Sequence, residues 1–229
     1  MSRGEGARQL ALDLPHQASF RRDDFLASAA NQAALVLVEL WPRWPHRVAA
    51  IIGPAGSGKS HLAAIWAERA GARIVAASAL DRGEVAKALA TGALVLEDLS
   101  PGRVEEPALF HLLNLAGEEG AYVLLTSRRR LDGPGFALAD LTSRLRAVPA
   151  TTLAPPDDAL IAAVLVKLFA DRQLEIDEDV IAYLVPRIER SLAAARAVVE
   201  RLDKAALSRG RAVTRPLAAD MLRSPDVTG

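Results

Sequence analysis

One stretch constrains this chain more than any other: Gly53-Pro54-Ala55-Gly56-Ser57-Gly58-Lys59-Ser60. It fits G-x-x-x-x-G-K-[ST], a loop whose glycines let backbone amides close around a phosphate. Lys59 is placed to neutralise charge on the β and γ phosphates, and the Ser60 hydroxyl to reach Mg²⁺. A helix starting at this point directs its positive end at the anion. A glycine-rich turn can match such a pattern by accident, so the flanks matter. Arg47–Ile52 reads as a buried strand entering the loop, and His61–Arg69 as the helix leaving it. That is the strand–loop–helix context the motif requires.

The rest of the composition narrows the choices. Of 229 residues, 51% are apolar, enough for a substantial core. Lysine plus arginine and aspartate plus glutamate are 28 each, so the net charge is zero and a strongly basic DNA-binding face is not expected. With no cysteine, disulfides, thiol catalysis and cysteine-based zinc sites are excluded. His16, His46, His61 and His111 do not share metal-ligand spacing. No secretory pattern and no apolar run of ~18 residues is present, so a soluble, cytoplasmic protein without a membrane span is expected.

Met1–Arg8 is small and polar. Gln9-Leu10-Ala11-Leu12-Asp13-Leu14-Pro15 alternates briefly and ends at a proline. It reads equally as a loose edge strand or as an extended docking motif whose Gln9 and leucines enter pockets on a partner. A loop carrying Phe20 and Phe25 leads to a helix over Ser28–Leu40 with Ser28 as its cap, ended by Trp41-Pro42-Arg43-Trp44-Pro45. The two tryptophans are read as packing residues. Beyond the phosphate loop the pattern predicts strands over Ala72–Ala76, Ala93–Asp98, Tyr122–Ser127 and Ala147–Leu153. Helices are predicted over Asp81–Ala90, Pro107–Glu118 and Leu138–Leu145 between them. Strands and helices alternating in this way imply an α/β fold with a parallel sheet. At Ala154-Pro155-Pro156 the pattern turns all-helical: Asp157–Arg172, Asp177–Arg187, Ser191–Ser208 and Pro216–Leu222. The expected organisation is an N-terminal segment (1–18), an α/β domain (19–154) and a small helical domain (155–229).

A phosphate loop needs a carboxylate for Mg²⁺ and usually another to aim water, both from the carboxyl ends of neighbouring strands. Leu94-Val95-Leu96-Glu97-Asp98 offers such a pair, Glu97 for the metal and Asp98 for the water. The bland alternative is a surface acid pair or a helix cap. Asp98 is shorter than a glutamate would be at that place, which suggests slow hydrolysis. Arg144 in Leu141-Thr142-Ser143-Arg144-Leu145 reads either as surface charge or as a finger on a γ-phosphate, in cis or in trans.

Together these residues resemble a family. The chain is similar, over nearly its whole length, to the AAA+ domain of the bacterial replication initiator DnaA. It is more similar still to the DnaA-related regulatory inactivators of the Hda kind found in alphaproteobacteria. Gln9, Leu10, Leu12 and Leu14 match the hexapeptide that docks on the β sliding clamp, the β subunit of DNA polymerase III, and the resemblance favours docking over an edge strand. Phe20, Asp23, Phe25 and Leu26 match the segment beside the adenine, and Thr142-Ser143-Arg144-Leu145 the box whose arginine faces a partner's nucleotide.

The resemblance implies a five-stranded AAA+ P-loop domain followed by an all-α lid, with ADP or ATP and Mg²⁺ as ligands. Phe25, Leu26, Gly53 to Ser60 and His61 would hold the nucleotide, and Ser60 and Glu97 the metal. Three departures accompany it. Walker B reads Glu97-Asp98 where the initiator has two aspartates. Arg128 follows Thr126-Ser127 where an acidic residue is common. Ala193 stands where a lid arginine is expected, with Arg190 or Arg196 as substitutes. These departures bear on ATP hydrolysis more than on nucleotide binding.

The initiator continues into a basic helix-turn-helix domain, whereas this sequence ends after the lid. The implied function is regulatory inactivation of DnaA, with the protein docked on DNA-loaded clamp and Arg144 set against DnaA-bound ATP. DNA is then met only through the clamp, and copies of the chain could associate. The alternatives are a freestanding AAA+ motor acting on nucleic acid, or a clamp-tethered adaptor.

Overall fold

The computed structural model describes residues 20–209 and 212–223. The segment Gln9–Leu14, read above as a docking motif, lies outside them. Five strands, β1 (Val48–Ile52), β2 (Arg73–Ala76), β3 (Ala93–Leu99), β4 (Tyr122–Ser127) and β5 (Ala150–Thr152), form one sheet in the order β2-β3-β4-β1-β5. Every pairing is parallel. Because β1 lies between β4 and β5, the loop leaving it opens in the interior of the sheet's carboxyl edge. The strand carrying Glu97 and Asp98 stands beyond β4.

Successive side chains of a strand point to opposite faces, and both faces here are covered. Ala49 and Ile51 of β1, Val95 of β3 and Leu124 of β4 pack with α1 (Gln32–Leu40) and α2 (Lys59–Ala70). Ala50, Leu94, Leu96, Val123 and Leu125 face the other way, against α3 (Val85–Leu89), α4 (Glu106–Glu119) and α5 (Ala139–Ala147). Trp66 of α2 is fully buried, and Trp44 stacks on it at 5.1 Å between ring centroids. Trp41 meets the same ring edge-on, so both tryptophans of the proline-rich turn are packing residues.

A third core belongs to the helices after Pro156: α6 (Asp158–Asp171), α7 (Glu178–Leu184), α8 (Leu192–Arg209) and α9 (Arg215–Arg223). Leu165, Phe169, Leu184, Val199 and Leu202 are its most buried large members. The Asp157 carboxylate accepts from the Leu160 N–H at 2.8 Å and so caps α6. No described helix is long and apolar enough to cross a membrane.

Three local expectations are corrected. The first helix begins at Gln32 rather than Ser28. Asn31 accepts from the Ser28 N–H at 2.8 Å and donates to the Leu26 carbonyl at 2.9 Å, which holds the intervening residues in a turn. The helix read over Asp81–Ala90 is broken, because the Asp81 carboxylate accepts from the Gly83 N–H and closes a 3-10 turn before α3. β5 has only three residues. α5 runs on to Ala147, and Pro149 has no N–H to give the ladder.

Candidate functional site

The phosphate loop joins β1 to α2 as the motif requires. Gly58 sits at φ +102° immediately before α2 and Gly56 at φ +69°, conformations that L side chains rarely adopt. Lys59 is buried, and its ammonium donates to the carbonyls of Gly53 at 2.8 Å and Pro54 at 2.7 Å. Burial holds its pKa below the usual lysine range; Arg128 adds to that, while Asp98 and Glu97 act against it. The two acids and Arg128 are therefore close enough to feel the loop's charge. Ser60 is exposed at the first turn of α2.

Glu97 and Asp98 leave the carboxyl end of β3 as the sequence suggests, but they are held differently. Oε1 of Glu97 is buried and has no hydrogen-bond partner among the described residues. Such an orphaned carboxylate oxygen fits a cation completed by phosphate oxygens and water, as Mg²⁺ sites commonly are. The Ser60 hydroxyl is an oxygen donor of the kind such a site also uses. Asp98 sits where β3 bulges between Leu96 and Leu99, at φ +55°, with its N–H donating to Thr126 Oγ1 at 3.0 Å. A bulge re-aims a side chain. Here Asp98 Oδ1 accepts from Arg128 Nε at 3.1 Å, and Oδ2 lies 3.7 Å from Arg103. Arg103 escaped the sequence reading, because the Pro101-Gly102 turn that brings it round gives no sign of its target.

A cavity of about 390 Å³ opens between the α/β domain and the lid. Phe25, Leu26 and His61 line one side and Leu160, Leu192 and Arg196 the other. An apolar cleft with a few polar groups, beside a phosphate loop, suits a nucleoside. His61 holds the N-terminal loop to α2: its Nε2 lies 3.0 Å from the Arg21 carbonyl, and Phe20 and Phe25 meet its ring edge-on. Burial keeps its pKa below the usual histidine value; the bond to Arg21 opposes this and Arg196 reinforces it.

The lid reaches the phosphate loop directly. The Leu192 N–H donates to the Gly56 carbonyl at 2.8 Å, and Ser191 lies so close that a Cβ on Gly56 would come within 2.5 Å of its Cβ. Lys167 of α6 spans the cleft to Asp24 at 2.7 Å, another pairing with no sequence signal.

The two candidate lid arginines part company. Arg196 enters the cavity, its guanidinium 5.2 Å above the Phe20 ring, and burial lowers its pKa. Arg190 is exposed and pairs with Asp158 at 3.0 Å, outside the cavity. Ala193 is exposed.

Arg144 lies apart from all of these. It is exposed on α5, on the sheet face opposite α2, with its guanidinium 5.2 Å over the Phe110 ring. A second cavity, about 250 Å³, sets it beside His46, Arg47 and Val48 at the start of β1 and Val148 and Pro149 before β5. β1 itself spans roughly 15 Å, so the sheet stands between Arg144 and the chain's own phosphate loop.

Residues 158–222 match the family model of the Hda lid domain. No curated protein sequence matches the chain. Among solved structures, domain III of the replication initiation protein DnaA of Thermotoga maritima superposes with a TM-score of 0.73 at 18% identity, covering 90% of this chain and 98% of that one. AMPPCP-bound DnaA from Aquifex aeolicus gives 0.62 at 19% identity, over 82% of this chain and 69% of that one. The Holliday junction branch migration motor RuvB of Thermotoga maritima gives 0.70 at 17% identity, over 89% and 71%. The fold is therefore that of AAA+ structures such as these, and residues 158–222 are similar to the Hda lid domain.

Proposed function

We propose that this AAA+ protein, related to Hda and DnaA, holds a nucleotide and acts on the ATP of a DnaA partner rather than mainly on its own. The placement of Arg144 carries the reading: exposed, steadied by Phe110, and walled off by the sheet from the loop of its own chain. An arginine so placed can stabilise phosphoryl charge only on a neighbouring molecule, and such fingers are worth about 10³–10⁵ in rate. Arg47 beside it adds a second positive charge to the same surface.

In this reading Gly53 to Ser60 and His61, with Phe25, Leu26 and Arg196, hold ADP or ATP, and Ser60 with Glu97 holds Mg²⁺. Arg190 is left to the lid surface. Gln9, Leu10, Leu12 and Leu14 dock on the DNA-loaded β sliding clamp, which concentrates the finger near DnaA. Hydrolysis then leaves DnaA in its ADP form and prevents a second initiation. AMPPCP bound to a DnaA of the same fold supports a nucleotide in this cleft. A freestanding motor on nucleic acid is disfavoured by the pairing of Asp98 with two arginines.

The test is single-turnover hydrolysis of DnaA-bound ATP by the purified protein, with and without DNA-loaded clamp. Arg144→Ala is expected to keep clamp binding and lose stimulation, and deletion of Met1–Pro15 to lose only the clamp-dependent part. Stimulation that persists in Arg144→Ala overturns the finger, whereas equal stimulation by the truncated protein overturns the docking assignment.

A further inference from the structure

We infer that Arg128, assisted by Arg103, is a positioning residue that latches Asp98 away from water activation, so that the chain retains its nucleotide instead of hydrolysing it. The inference rests on the nucleotide-holding reading above. A carboxylate at this strand end serves hydrolysis by taking a proton from the water whose oxygen bonds to the γ-phosphorus, as the bond to the β-phosphate oxygen breaks. That role needs a carboxylate oxygen free to accept and aimed at the phosphate loop.

Here one oxygen is already engaged and both are drawn toward arginines. Asp98 Oδ1 accepts from Arg128 Nε at 3.1 Å, and Oδ2 faces the Arg103 guanidinium at 3.7 Å. The backbone fixes this aim twice. The bulge after Leu96 puts Asp98 at φ +55°, and the Thr126 hydroxyl accepts its N–H at 3.0 Å. A left-handed aspartate is a local cost that persists only where the surroundings impose it. Neighbouring Glu97, by contrast, has an oxygen without a partner among the described residues. Glu97 thus keeps an unpaired oxygen for a cation while Asp98 is held through Oδ1 and drawn to a second arginine through Oδ2, a division that favours binding over turnover.

The side chains of Arg128, Arg103 and Asp98 are 60%, 65% and 41% exposed, so solvent screens both contacts. Exposed pairs of this kind shift an equilibrium by up to about five-fold each. Freeing Asp98 from both is therefore expected to raise intrinsic turnover up to about 25-fold, well short of the full effect of a general base.

The experiment compares wild type, Arg128→Gln, Arg103→Ala, the double variant, and each in an Asp98→Asn background. Intrinsic ATP turnover is measured beside affinity for a fluorescent ADP analogue. Turnover is expected to rise several-fold in Arg128→Gln, further in the double variant, and not at all once Asp98 is Asn, with ADP affinity little changed. Arg128→Lys, which keeps the charge, is expected to keep most of the suppression. In the nucleotide-free protein, the Arg128 Nε–H resonance in ¹⁵N spectra is expected to exchange with solvent faster in Asp98→Asn than in wild type. Unchanged turnover in the double variant overturns the latch, as does an Arg128 resonance indifferent to Asp98→Asn. A fall in turnover overturns it too, by assigning Arg128 directly to the phosphates. Failure of wild type to bind either nucleotide refutes the holding function instead, and the ADP titration identifies that case independently.

Discussion

Gly56→Ala tests the joint between lid and phosphate loop. Gly56 has φ +69°, where an alanine costs about 1–2 kcal/mol. Its new Cβ would stand 2.5 Å from the Ser191 Cβ, while carbon atoms settle at about 3.5–4.0 Å. The start of α8 must therefore withdraw by about 1 Å. That stretches the 2.8 Å bond from the Leu192 N–H to the Gly56 carbonyl, worth about 0.5–1.5 kcal/mol. The expected loss is about 2–3 kcal/mol, which at a urea slope of about 2 kcal/mol per molar lowers the midpoint by about 1–1.5 M. Affinity for a fluorescent ADP analogue should fall with it, because Leu192 and Arg196 ride on α8 into the cavity.

Ser191→Gly separates the two costs. Ser191 caps α8 by accepting from the Ala194 N–H at 3.0 Å, and replacing a serine cap by glycine costs only a few tenths of a kcal/mol. In that background there is no Ser191 Cβ to collide with, so Gly56→Ala should cost only its backbone part, about 1–2 kcal/mol. A non-additivity of about 1 kcal/mol is expected between sites in direct contact. Strictly additive losses, or an unchanged midpoint in Gly56→Ala, would refute the claim that Ser191 presses on the loop.

The His61 pKa is lowered chiefly by burial, so its stabilising contribution is present above the unfolded value of about 6.5 and is lost as pH falls through and below it. The urea midpoint of wild type should drop between pH 7.5 and 5.5, and His61→Gln should flatten part of that drop; equal slopes would deny His61 the role. Phe110→Ala removes the ring beneath Arg144, a contact worth about 0.5–2 kcal/mol. Stimulated hydrolysis of DnaA-bound ATP should fall about 2- to 30-fold, with clamp binding intact and most of the loss recovered in Phe110→Tyr.

The sequence was most legible where a residue's role is local. Gly56, Gly58 and Lys59 declare themselves because a phosphate loop demands left-handed glycines and a lysine at fixed spacing, and the apolar runs of β3 and β4 could only be buried strands. Pairings made by tertiary folding were silent. Nothing in the spacing of Asp98, Arg103 and Arg128 says that a bulge turns the acid onto both cations, nor does the composition of α6 single out Lys167 as the partner of Asp24. Arg190 and Arg196 looked interchangeable by sequence. They diverge because residue 196 lies more than a turn into α8 and points into the cleft, whereas residue 190 precedes the helix and meets Asp158 in solvent. The misplaced start of α1 has a related cause, since Asn31 and Ser28 are both good caps and only their mutual hydrogen bond decides between them.

The arrangement of the two charged surfaces also limits how this protein can associate. The phosphate loop opens at the carboxyl edge of the sheet beside α2, and Arg144 lies on the opposite face near the strand starts. A contact that brings Arg144 of one molecule to the loop of another therefore joins unlike surfaces, and a heterologous contact leaves one end of each surface unused unless a ring closes. A copy of this chain and a DnaA molecule would then compete for the same Arg144 face. Self-association through that face should lower stimulation of DnaA as protein concentration rises, and Arg144→Ala should abolish both. Stimulation that climbs monotonically with concentration while the protein demonstrably oligomerises would place the contact between copies elsewhere.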